Sequence, residues 1–307
     1  MRHKITFKKE NITPDSAVEE FLENKRLMGL SKATLTTYCD HLNMFLTAVS
    51  CDSMDDITQQ SISQFVSFMM DRNVTGQTIN SYLRTIRVFL RWSAGKEYLG
   101  EIKVTMVRSD RKLKDTYTDA ELRLLLGHKP KKKEGFRVYQ IWVLENYLLA
   151  TGNRIGSALG LQIQDIDLTE ATVRLRRTKG RRQQIIPLQD SLVAILAEYL
   201  SVRGGNAEDY VFCNVYGGQG DRRTFQEAVH DYNIRHGVAK TSCHLFRHTF
   251  TKKCVLAGVS LPTIQRMLGH KDITTTQNYI NLVVSDMQID MKNIDILNSF
   301  RHDKIQL

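Results

Sequence analysis

Between Phe136 and Ala150 the chain reads FRVYQIWVLENYLLA, and Val138, Ile141, Trp142, Leu144, Leu148 and Leu149 fall on nearly every side of a helix wound through it. A helix that is apolar almost all round is stable only when other elements cover it, so this stretch predicts the buried axis of a domain. Gly152 ends it after Thr151. With 307 residues, of which 42% are apolar, the chain can build more than one core of this kind.

A second core is predicted upstream, where residues 13 to about 99 read as four amphipathic helices joined by short loops. Thr13-Pro14 starts the first, with Val18, Phe21 and Leu22 inward and Gly29 at its end. Ser31 caps the second, along which Leu35, Tyr38, Leu42, Phe45 and Val49 recur at helical spacing. The third follows Thr58 with Ile62, Phe65, Val66 and Met69, and the fourth carries Ile79, Leu83, Ile86 and Leu90. Arg84, Arg87 and Arg91 make a basic stripe beside that last apolar face, either solvated or laid along a phosphate backbone. From residue 100 to 117 helical periodicity is lost and Lys103, Arg108, Arg111, Lys112 and Lys114 accumulate, which predicts a basic linker. Thr118-Asp119-Ala120-Glu121 is then a capping box, with Tyr117 and Leu122 placed for a hydrophobic staple, so a new domain begins there. The expected division is 1–100, a linker over 101–117, and 118–307.

Past the buried axis, Thr172–Arg177 alternates, Lys179-Gly180 suits a turn, and Arg182–Leu188 returns as the second strand of an antiparallel hairpin. Helices are expected after Asp190 and after Thr224, the second opened by Thr224-Phe225-Gln226-Glu227 as a capping box. Gly217-Gly218-Gln219-Gly220 lacks the Gly-Lys-Ser/Thr of a nucleotide cradle and reads as a loop. The last third gathers the chemistry. His244-Leu245-Phe246-Arg247 stands at a helix start capped by Thr241 or Ser242, and puts His244 and Arg247 on one face. A helix from about Pro262 to Leu268 ends at Gly269 and presents His270, and Tyr279 follows nine residues later. Arg154, just after Gly152, needs an anionic partner, which is either an internal carboxylate or a bound phosphate.

Charge narrows the partner. Lys plus Arg total 43 against 33 Asp plus Glu, a net +10, which suits a polyanion. Five scattered cysteines without a Cys-x-x-Cys spacing fit a reducing interior, and neither an apolar signal core nor a membrane-length apolar run is present, so a cytoplasmic protein with no membrane partner is expected. His244 and His248 stand four apart, but the Glu of His-Glu-x-x-His is missing, and neither a metal nor another cofactor is expected.

His-x-x-Arg, then Leu-Gly-His, then Tyr at this spacing resembles the second conserved box of the tyrosine recombinase (phage integrase) family. Thr151-Gly152-Asn153-Arg154 resembles the first, with Ser157 where many members carry Glu, and Thr178-Lys179-Gly180-Arg181 resembles the hairpin whose turn lysine is the family's general acid. The resemblance implies a mainly α protein: an N-terminal SAM-like four-helix core-binding domain, and a mixed α+β catalytic domain, helical with a small antiparallel sheet. It implies Arg154, Lys179, His244, Arg247, His270 and the nucleophile Tyr279 as catalytic residues. Candidate DNA contacts are Lys32, Thr34, Asn80, Arg84, Arg87 and Arg91 in the bundle, with Arg111 and Lys112 in the linker. The implied partners are double-stranded DNA with inverted-repeat core sites, further copies of the chain in a synaptic tetramer, and accessory directionality or DNA-bending factors. A helix over about 286–300 would dock on a neighbouring copy. Two other readings stay open, a non-cutting accessory or repressor protein and a relaxing topoisomerase of related chemistry.

Overall fold

The computed structural model describes residues 12–109, 115–176 and 183–269. The chain divides into two compact units, Met1–Lys112 and Leu113–Leu307, each with its own core.

The helices of the first unit begin at the caps written in the sequence. Thr13 accepts from the Ser16 N–H to open α1 (Pro14–Leu27), and Ser31 accepts from Thr34 to open α2 (Lys32–Val49). Thr58 precedes α3 (Gln59–Asp71), and Thr75 caps α4 (Gly76–Gly95). Phe21, Phe45, Phe65 and Phe89 are fully buried between them. They interlock edge to face, Phe21 on Phe89 at 5.4 Å and Phe45 on Phe65 at 5.5 Å between ring centres.

The segment expected to be a linker starts later than predicted. Ile102, Val104, Met106 and Val107 pack on the core of the first unit. Gln59 brackets Lys103, donating to its carbonyl at 3.0 Å and accepting from its N–H at 3.1 Å. Asn80 does the same for Val107, at 2.8 Å both ways, and Arg87 donates to the Val104 carbonyl at 2.7 Å. This extended strip belongs to no sheet, so side-chain amides take the place of a neighbouring strand and satisfy its backbone. The alternation Ile102-Lys103-Val104-Thr105-Met106, with period two, was the signal for it.

The second unit opens with the expected capping box, in which Thr118 and Glu121 each bond the other's backbone N–H ahead of α5 (Asp119–Leu126). The apolar stretch is α6 (Phe136–Thr151), and Ile141, Val143, Leu144, Tyr147 and Leu148 are at most 2% exposed. Around it pack α5, the short α7 (Ile155–Ala158), α8 (Asp190–Arg203), α9 (Arg222–Arg235) and α10 (Cys243–Leu256). Asp221, rather than Thr224, caps α9: its carboxylate accepts from the Thr224 N–H at 3.0 Å, so the helix begins three residues before the position predicted. The last described helix is α11 (Leu261–Leu268), closed by Gly269 in the left-handed conformation at φ 62°.

One small antiparallel sheet completes the unit, in the order β1 (Ile166–Asp167), β2 (Thr172–Leu175), β3 (Gln184–Pro187). Strands β2 and β3 are the expected hairpin, paired from Thr172↔Pro187 to Leu175↔Gln184, and β1 adds a strand that two residues were too few to announce. Val173, Leu175 and Ile186 face the core while Arg174 and Ile185 face outward. Among the described residues no helix is long and apolar enough to cross a membrane.

Candidate active site

The turn that carries Arg154 is held by its own neighbours. Gly152 ends α6 at φ 64°, and the Thr151 hydroxyl donates to the Tyr147 carbonyl at 2.7 Å while accepting from the Asn153 N–H at 3.2 Å. The Asn153 amide donates to the buried Tyr147 hydroxyl at 2.6 Å. Arg154 therefore leaves a fixed backbone in an extended conformation as α7 begins. Its side chain is half-buried, and no carboxylate or other hydrogen-bonding group pairs with it among the described residues. The internal ion pair left open by the sequence is not formed there, and a half-buried guanidinium in that position suits an anion brought from outside. Ser157, the departure from the family pattern, is half-buried one turn further on.

Ser242 caps α10, accepting from the His244 N–H at 3.3 Å, which leaves His244 exposed on the first turn. Arg247, one turn on, is only 4% exposed. Its Nη1 donates to the Gly152 carbonyl and its Nη2 to the Leu268 carbonyl, both at 2.8 Å. One guanidinium thus joins the end of α6, α10 and the end of α11, two residues from Arg154 on one side and two from His270 on the other. The approach is close because Gly152 has no side chain: a Cβ there would lie 2.4 Å from Phe250 Cδ1 and 2.8 Å from Leu268 Cδ2.

Two neighbours take no nucleophilic part. Burial pushes the Cys243 thiol up to about 12, with the Glu145 charge adding to it, so it stays protonated at neutral pH. His248 is half-buried on α10, and among the described residues no three His, Cys, Asp or Glu side chains gather into a metal-holding group.

Lys179, His270, Tyr279, Arg111, Lys112 and the expected helix over 286–300 lie outside the described residues. In the first unit, Lys32, Arg84 and Arg91 are exposed, whereas the Thr34 hydroxyl sits 2.9 Å from that of Ser31 within the α2 cap. Asn80 and Arg87 are engaged within their own unit. Asn80 is 6% exposed with its amide committed to Val107, and Arg87 is half-buried on Val104. Both read as basic or polar surface in the sequence because the strip they hold was not recognised.

Sequence reasoning also missed Gln184. Its Nε2 donates to the carbonyls of Arg266 at 2.5 Å and Met267 at 2.9 Å, so the first residue of β3 is fastened to the last turn of α11. A glutamine ahead of two isoleucines carries no motif that would have singled it out.

Residues 118–285 match the phage integrase family, and residues 18–99 match the N-terminal SAM-like domain of phage integrases. A tyrosine recombinase XerD of Staphylococcus saprophyticus is 27% identical over 288 residues, covering 89% of this chain and 96% of that protein. Among solved structures, the Tn1549 transposon integrase in complex with transposon right-end DNA superposes with a TM-score of 0.72 at 18% identity, over 90% of this chain and 99% of that one. The XerH site-specific recombinase bound to a palindromic difH substrate gives 0.70 at 20% identity, over 91% and 84%. At such identities the structures speak for a shared fold.

Proposed function

The chain belongs to the phage integrase family, and from that premise we propose that it is a site-specific tyrosine recombinase that cuts and rejoins double-stranded DNA through a 3′-phosphotyrosine on Tyr279. The observation that carries this reading is the Arg247 guanidinium. It is buried, and it ties the turn of Arg154 to the end of α11, so Gly152 and Leu268, 116 positions apart in sequence, are held by one side chain.

A phenol with a pKa near 10 is only about one part in a thousand ionised at pH 7, so Tyr279 must lose its proton as it attacks. His244, exposed on the first turn of α10, is the group that accepts or relays that proton. Arg154 and Arg247 each offer a planar fork to the non-bridging oxygens, and His270 donates a further hydrogen bond as charge builds in the pentavalent transition state. The bond between Tyr279 oxygen and phosphorus forms as the bond to the 5′ oxygen breaks, and Lys179 gives that oxygen its proton. The products are a 3′-phosphotyrosine and a free 5′ hydroxyl. Attack by a 5′ hydroxyl from another duplex reverses the step, and because one phosphodiester replaces another, ATP is not required. The arginines supply the positive charge that a metal ion supplies in other phosphoryl-transfer sites.

The proposed substrate is a core site with inverted repeats, occupied by four copies of the chain, with the first unit contacting DNA through Lys32, Arg84 and Arg91, and Arg111 and Lys112 contributing from the connecting segment. The test is covalent trapping. The protein is incubated with a nicked duplex carrying the repeats beside its own gene and run on a denaturing gel next to Tyr279→Phe. A slow protein–DNA band with the wild type and none with the variant supports the reading. A native-gel shift without any covalent band indicates a non-cutting DNA-binding protein, and relaxed circles without recombinants indicate a topoisomerase.

A further inference from the structure

The attachment made by Gln184 joins the two parts of the catalytic unit that no other described side chain of β3 connects. Its neighbours Gln183 and Ile185 are exposed, so beyond the pairing of Gln184 with Leu175 the start of the strand is anchored by this amide. On the helix side, Nε2 serves the carbonyls of Arg266 and Met267 in the last turn of α11 together, the first of which also accepts from the Gly269 N–H at 3.1 Å. Gly269 lets the amide in: a Cβ there would lie 2.9 Å from Gln184 Oε1, and the backbone is left-handed at φ 62°. The end of α11 has further anchors, since Arg247 holds the Leu268 carbonyl and Ile264 and Leu268 are buried. Losing the amide would therefore be felt at the strand rather than the helix. Gln184 pairs with Leu175, the last described pair before the segment that contains Lys179 in sequence.

We propose that Gln184 is a positioning residue for leaving-group protonation: it fastens the first residue of β3 to the end of α11, and so bears on the proton transfer assigned to Lys179. The proposal rests on the reading of Lys179 as the general acid. A misplacement of about 1 Å in a reacting group costs on the order of a hundredfold in rate, so a loosened hairpin base has a kinetic signature.

The experiment compares single-turnover cleavage of a nicked duplex by the wild type, Gln184→Met and Lys179→Ala. Each acts on ordinary DNA and on DNA whose scissile 5′ oxygen is replaced by sulfur, which departs as a thiolate without needing a proton. Methionine keeps the length of the side chain and removes the donor. Gln184→Met is expected to cleave ordinary DNA roughly ten- to a hundredfold more slowly than the wild type, and to match the wild type on the sulfur substrate. Wild-type rates on both substrates overturn the proposal. So does equal slowing on both, which would mark a general loss of structure. Lys179→Ala separates the two readings. If the sulfur substrate rescues it but not Gln184→Met, the positioning role alone fails. If it stays slow on sulfur, the general-acid reading fails and takes this proposal with it.

Discussion

Arg247 Nη1 lies 2.8 Å from the carbonyl oxygen of Gly152, and this contact sets the backbone of the Arg154 turn against α10. The same guanidinium reaches the Leu268 carbonyl at the end of α11, so its plane is fixed from two directions. A lysine has one ammonium in place of the fork and cannot hold both carbonyls in that plane. Arg247→Lys is therefore expected to destabilise the second unit by about 1–3 kcal/mol and to slow cleavage by on the order of a hundredfold or more. Urea unfolding and single-turnover cleavage read the two effects separately. Wild-type stability in the variant would show that the carbonyl contacts do not anchor the turn.

Gly152 answers two demands at once, a left-handed backbone at φ 64° and space for Phe250 and Leu268. Alanine meets neither, since its Cβ would stand 2.4 Å from a Phe250 ring carbon. Gly152→Ala should cost about 2–4 kcal/mol, adding backbone strain to overpacking. Denaturant titration checks the figure, and a loss under about 0.5 kcal/mol, the scale of an ordinary surface change, would mean that the ring moves aside freely.

Much of this architecture was legible because local rules and tertiary structure agree. Thr13, Ser31 and Thr118 cap where their side chains allow, and the all-round apolar stretch from Phe136 is the buried axis. Illegible parts depend on partners distant in sequence. Asn80 looked like a groove contact because nothing local shows that Val107, twenty-seven residues on, lacks backbone partners. Gln184 and the Arg266 carbonyl are separated by eighty-two residues, and a side-chain bond to a backbone carbonyl leaves no residue pattern at the far end. Arg154 and Arg247 were found through motif spacing, but their connection through Gly152 runs by a carbonyl, which every residue possesses.

The same difference separates two sets of basic and polar residues on α4. Arg84 and Arg91 are exposed, while the Asn80 amide is occupied by Val107. Removing a phosphate-contacting charge lowers the dependence of log affinity on log salt by about 0.9 per contact. Arg84→Ala and Arg91→Ala are each expected to flatten the salt slope of DNA binding by about that amount, with little change in melting temperature. Asn80→Ala should leave the slope unchanged and lower stability by about 1–3 kcal/mol, by freeing two backbone groups of a packed strip. Fluorescence anisotropy across a salt series decides it, and a flattened slope with Asn80→Ala would return that residue to the DNA.

Glu145 makes the second unit sensitive to pH. It is completely buried on α6, and among the described residues neither carboxyl oxygen has a hydrogen-bond partner. Burial therefore holds its pKa well above the usual 4.5. Its charge, where present, also raises the pKa values of Tyr117, Tyr232 and Cys243. In the unfolded chain the proton leaves near 4.5, whereas in the folded chain it stays on to higher pH. Above 4.5 the folded state thus binds more protons than the unfolded state, so this group's contribution is fully present below 4.5 and is lost as pH rises towards the folded value. Glu145→Gln keeps the shape and removes the titration. Its melting temperature relative to the wild type should rise as pH climbs from about 5 towards the folded value. A difference that stays flat over that range would show that the carboxyl does not carry its proton into the fold.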